Sequence, residues 1–107
     1  MKYLLVVILS SINFLLSQSL VLEGLVKDKS TGEPLVGANV FIVGTSIGTA
    51  TTNEGKYKLS KVSPGVYMLK ATYIGYESNE FELNLSDGMN AVQDFELNYA
   101  SLQGKTV

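Results

Sequence analysis

The stretch Gly24–Gly55, GLVKDKSTGEPLVGANVFIVGTSIGTATTNEG, decides the fold. Short alternating apolar segments are cut there by glycine, proline and Asx turns at near-regular spacing. Strands interrupted every ~8–12 residues by turn chemistry make a small antiparallel sandwich. The same stretch holds almost no side chain that carries chemistry, so it speaks to fold and address more than to activity.

Outward from it, LVLEGLVKD places Leu20, Leu22, Gly24 and Val26 on one face and Glu23 and Lys27 on the other. Asp28–Pro34 is a turn in which Asp28 and Thr31 bond local backbone and Gly32 takes a left-handed conformation. Ala38, Val40 and Ile42 then face one way, with Asn39, Phe41 and Val43 opposite; apolar residues on both faces mark a strand that is often covered on both sides. GTSIGTATTNEGKYKLSK reads as a hairpin. Gly44 and Gly48 bracket its bend, NEG turns the chain into KYKLS, Tyr57 and Leu59 face in, and Lys56, Lys58 and Lys61 face out. Ser63-Pro64-Gly65 has the residue order of a type II turn. Tyr67, Leu69, Ala71 and Tyr73 alternate inward, with Lys70 and Thr72 outward, and Gly75 marks a bulge or bend. Phe81, Leu83 and Leu85 alternate with Glu80, Glu82 and Asn84. Phe95, Leu97 and Tyr99 share a face with which Val92 is out of phase, as a bulge near Gln93 or a late strand start would produce. Seven strands without helical period or helix caps predict an all-β sandwich.

The chain has 107 residues, enough for one domain. Lys2, an apolar run from Leu4 to Leu16 and the small residues Ser17 and Ser19 flanking Gln18 follow the plan of a secretory signal peptide, with cleavage after Ser19. The 13-residue apolar core, interrupted by Ser10, Ser11 and Asn13, is short of the ~20 that a spanning helix needs. The predicted organisation is therefore a leader over 1–19, a sandwich over 20–99 and a linker over 100–107. With no cysteine, packing and backbone hydrogen bonds must hold the domain, and a lipid anchor on an N-terminal cysteine is excluded. The formal net charge of −2 becomes one unit more negative when Lys2 leaves with the leader. No arginine or lysine cluster is present, which argues against a nucleic-acid surface. The remaining residues bury a little over ~60% of their unfolded surface, enough for a two-layer core and too little for a deep active-site cavity.

Candidate chemistry is sparse. Histidine and cysteine are absent, and with them the commonest general base, zinc ligand and thiolate nucleophile. Glu80 and Glu82 are a pair of carboxylates on the outer face of one strand, where a solvated surface explains them better than a glycosidase cleft. Ser60 and Lys61 are strand neighbours and point apart. Asp28, or Asn53 with Glu54, offers too few oxygens for calcium, which takes 6–8. Tyr57, Tyr67 and Tyr73 fall in phase with the core, leaving Tyr76 and Phe41 as aromatics for a sugar-stacking platform. Asn84 opens an NLS sequon, meaningful in a eukaryotic secretory route. No catalytic, cofactor-binding or metal residue is assigned.

Four ordered pieces, GLVKDKSTGEPLVGANV, GTATTNEGKY, SPGVYMLKATYIGYE and the closing FELN, cover nearly all of residues 22–98. Together they resemble the carboxypeptidase-regulatory-like domain, a transthyretin-like (prealbumin-like) β-sandwich. Asn53 stands where that family often has aspartate, which weakens any metal role there. The module is similar to the N-terminal extension of TonB-dependent outer-membrane receptors, including SusC-like importers, in which it follows a signal peptide and precedes an energy-coupling segment, a plug and a barrel; SLQGKTV stands where that segment would begin. The resemblance implies a non-catalytic, exported interaction module in the periplasm or at the outer membrane. Its implied partners are proteins: a receptor's plug and barrel, or TonB-type coupling proteins. Lys56–Lys61 and Glu77–Glu82 are the segments to consider for strand addition. The alternatives are a secreted carbohydrate-binding module with a glycan partner, or an accessory domain of a carboxypeptidase.

Overall fold

A computed structural model describes residues 19–100 of the chain. The leader apart from Ser19, and the linker after Ala100, lie outside the described residues. Eight strands form two sheets: β1 (Leu20–Asp28), β2 (Asn39–Ile42), β3 (Gly48–Ala50), β4 (Lys56–Val62), β5 (Val66–Thr72), β6 (Asn79–Asn84), β7 (Ala91–Val92) and β8 (Phe95–Leu97). One sheet has the order β4-β1-β7, with β8 also on β1; the other runs β3-β2-β5-β6.

The alternation read from the sequence sets the faces. Leu20, Leu22 and Val26 of β1, Val40 and Ile42 of β2, Tyr57 and Leu59 of β4, and Leu69 and Ala71 of β5 all enter one core, joined by Phe95 and Leu97 of β8. Burying a leucine- or phenylalanine-sized side chain contributes about 1.5–3 kcal/mol, so these layers supply the main stabilisation of a domain that has no disulfide. Asp28 closes the first turn as expected. Its Oδ1 accepts the N–H groups of Ser30 (2.7 Å) and Thr31 (3.0 Å), and Gly32 has φ 77°.

The structure departs from the sequence reading more in pairing than in faces. There are eight strands instead of seven because the last segment breaks at Gln93–Asp94, the position expected for a bulge. The sandwich is only partly antiparallel, since β7 and β8 run parallel to β1. Side chains fill the interrupted ladder: Asn90 Oδ1 accepts the Val21 N–H (2.8 Å) and Asp94 Oδ1 accepts the Leu25 N–H (2.9 Å). The Gly44–Gly48 bend does join β2 to β3, which pair antiparallel, but Asn53–Gly55 carries the chain from one sheet to the other and makes no hairpin. Thr52, not Asn53, organises that crossing, its Oγ1 accepting the N–H groups of Glu54 and Lys56. Gly65 lacks the positive φ of a type II turn. The left-handed residue is Lys61, φ 59°, where β4 gains one residue against Leu20–Leu22 in a β-bulge.

Candidate interaction surfaces

Two of the four outer strands end their sheets on opposite sides of the sandwich and carry opposite charge. On β4, Lys56, Lys58 and Lys61 are exposed, but the bulge and the left-handed Lys61 bend this edge. The acidic edge, β6, keeps register with β5 from Asn79↔Ala71 to Asn84↔Val66 without a shift. Glu80 and Glu82 lie opposite Lys70 and Met68. They are solvated, and no cleft forms around the pair. Ser60 and Lys61 fall in the bulge, and Asn84 is exposed with its side-chain oxygen accepting from Ser86. Among the described residues no group of three or more acids is placed to hold a metal ion.

The aromatic residues divide differently from their sequence phase. Tyr57 is core, and its hydroxyl donates to the Gln93 carbonyl (2.5 Å). Burial first, then the charges of Asp94 and Glu23, push that phenol well above its ordinary pKa. Tyr67 is half-buried and donates to the Ser63 carbonyl (2.7 Å). Phe41 is half-buried on the outer face of β2, opposite Gly48. Tyr76, offered as a platform residue, is instead the middle of an edge-to-face row with Tyr73 at 5.5 Å and Tyr99 at 5.3 Å. Its hydroxyl donates to Asp28 Oδ2 (2.5 Å), tying the end of β1 to the β5–β6 connection. That bond holds the Asp28 carboxyl below its usual range and lifts the Tyr76 phenol to about 12, with burial adding to the rise. Tyr99, expected to share a face with Phe95 and Leu97, is 63% exposed, and Ile74 beside the row is 92% exposed.

A concavity of about 610 Å³, open to solvent, lies outside β1 and β4 among Glu23, Lys56, Lys58, Val92 and Asp94. Its charges are of both signs, and the Thr52 hydroxyl at its rim donates to Glu54 Oε1 (3.2 Å), an exposed bond within the turn. Sequence reasoning missed Thr51, whose buried hydroxyl accepts the Ala38 N–H (2.8 Å) and donates to the Leu35 carbonyl (2.5 Å). It also missed Asn90 and Asp94; the out-of-phase Val92 was the one signal that the ladder breaks beside them.

The described residues form a small two-sheet sandwich with free strand edges. Residues 22–107 match the CarboxypepD_reg-like domain, and the chain belongs to that family, which is not a catalytic one. The TonB-dependent receptor SusC of Bacteroides thetaiotaomicron is 37% identical over 76 residues, covering 71% of this chain. Bacillopeptidase F of Bacillus subtilis is 41% identical over 66 residues, covering 60%. The chain spans only 7% and 4% of those two relatives' lengths. Among solved structures, a type II cohesin–X-dockerin complex from Acetivibrio cellulolyticus superposes with TM-score 0.62 at 24% identity, over 73% of this chain and 56% of the other. A putative carbohydrate binding protein from Bacteroides uniformis gives 0.57 at 20%, over 76% and 42%. At these identities the likeness is one of fold.

Proposed function

We propose that the chain is the front part of a TonB-dependent outer-membrane nutrient receptor, exported by a leader over 1–19 and acting in the periplasm as a non-catalytic protein-interaction module. The observation that carries this is the 37% identity to SusC over 76 residues, nearly the whole sandwich. Rigid sheets with unpaired edges support it, because such edges accept another chain by backbone hydrogen bonds. The natural partners are the plug and barrel of a receptor, or a periplasmic coupling protein. Affinity capture of the tagged chain from cross-linked cell envelopes tests the reading. Recovery of a receptor or coupling protein upholds it, and recovery of nothing above an untagged control defeats it.

One observation favours a second reading, a glycan-binding module: the Tyr73–Tyr76–Tyr99 row with its exposed outer ring. Glycan arrays with wild type and Tyr99→Ala decide it, since a stacking platform loses its signal when that ring goes.

A further inference from the structure

Of the strand edges, β6 is the one shaped to receive another strand. The β3 edge is three residues long and lies against β4, while β4 itself is bulged at Lys61. On β6 the hydrogen-bond parity is fixed by its neighbours. The Met68 carbonyl turns to β2, where it accepts the Val43 N–H, and the Leu85 N–H turns back to the Gly65 carbonyl. Residues 79, 81 and 83 therefore bond β5, and the backbone groups of Glu80, Glu82 and Asn84 look outward. The Glu80 N–H is taken by its own neighbour, Asn79 Oδ1, at 2.9 Å, a local stand-in for the acceptor that an added strand brings.

The two faces of this edge specify what the added strand carries. One face presents Glu80 and Glu82. The other presents Phe81, 38% exposed, whose ring lies tilted by 50° against the buried Phe95 at 5.4 Å. Beside Phe81 is a shallow groove of about 360 Å³ lined also by Lys27, Lys29, Asp94 and Glu96, with Lys27 Nζ 3.8 Å from Glu96 Oε2. The two lysines and two acids of that groove balance, so the Phe81 face selects through its ring, while the glutamates attract cations on the opposite face. A second copy paired antiparallel through β6 sets Glu80 against Glu82 twice when centred on Phe81, or Glu82 against itself when centred there, and like charges directly opposite are destabilising.

We infer that β6 binds an extended peptide segment of alternating basic and apolar residues, the basic side chains opposite Glu80 and Glu82 and the apolar one between them over Phe81. This rests on the interaction-module reading above and names the chemistry of its partner. Main-chain bonds supply affinity, and the alternate side chains supply selection.

The probe is a short blocked peptide of alternating lysine and valine, titrated into the ¹⁵N-labelled protein and followed by amide shifts and hydrogen exchange. The expected result is saturable binding with new protection at the Glu80 and Glu82 amides. A glutamate–valine peptide should bind at least about tenfold more weakly, because two cross-strand ion pairs become repulsive. Glu80→Lys with Glu82→Lys should invert that preference. Glu82→Pro removes one outward N–H and none from the β5 ladder, and should abolish binding. Should either variant prove unstable, the same peptide N-methylated on alternate nitrogens, offered to the unaltered protein, must fail to bind. Binding without selection by charge, protection on β4 instead, or no binding at all overturns the inference. If envelope capture still recovers a partner, the interaction-module reading stands without it.

Discussion

Thr51→Val replaces one buried hydroxyl with a methyl of nearly the same size and so isolates a polar effect from a packing effect. The hydroxyl joins the Ala38 N–H and the Leu35 carbonyl, and the Thr51 main chain adds an N–H to the Ala38 carbonyl (2.9 Å) and a carbonyl to the Gly37 N–H (3.1 Å). Ala38 is wholly buried, so water cannot replace the lost acceptor. A buried polar group left unpaired costs about 1–3 kcal/mol, with carbonyls cheaper than N–H groups, so two partners amount to about 2–4 kcal/mol. For a domain near 80 residues, each kcal/mol lowers Tm by about 4–8 °C, which predicts a drop of about 10–30 °C by calorimetry or circular dichroism. Thr51→Ser keeps the hydroxyl and loses one methyl, worth about 1 kcal/mol. If the valine variant melts within a few degrees of wild type, or the serine variant is as damaged as the valine one, the two hydrogen bonds do not hold this corner.

Two further perturbations probe other joints. Gly24→Ala builds a Cβ 2.1 Å from the Gln93 carbonyl oxygen and 2.9 Å from Tyr57 Cε2, so the β7–β8 link must move; urea unfolding should show a loss of about 1–3 kcal/mol, and an unchanged midpoint would contradict the close approach. Tyr76→Phe removes the main cause of the lowered Asp28 pKa. Because the folded value lies below the ordinary 3.8, that contribution is complete above 3.8 and disappears as pH falls through the lower folded value. The Tm difference between wild type and Tyr76→Phe should therefore shrink below pH 3.8, whereas parallel curves would deny the coupling.

Side-chain phase was legible in the chain because a strand has period 2: Leu20, Leu22 and Val26, or Leu69 and Ala71, declare their face without reference to any partner. Pairing was not legible for the same reason. The alternation in Gly48–Ala50 and Lys56–Val62 is equally consistent with a hairpin and with strands in separate sheets, and nothing local records that β7 and β8 run parallel to β1. Tyr99 continued the phase of Phe95 and Leu97, yet the chain leaves the core after Leu97 and pairs Tyr99 with Tyr76 instead. The Asp28 turn was readable because its bonds are to the next few residues; the Tyr76 bond to the same carboxylate spans 48 positions and leaves no local signature. For the two edges singled out by charge, nothing in the residue order records that β4 is bulged at Lys61 while β6 keeps its register with β5 throughout.

The position of β1 has a consequence for how the molecule is made. The earliest strand to emerge during synthesis is the central one, and its neighbours on one flank come from the far end of the domain. Contacts so distant along the chain slow folding, so the first sheet cannot be finished until Phe95–Leu97 is available. The domain thus stays unlocked until β8 has been made, and a product cut short before β8 lacks Phe95 and Leu97 from the core around Leu20, Leu22 and Val26.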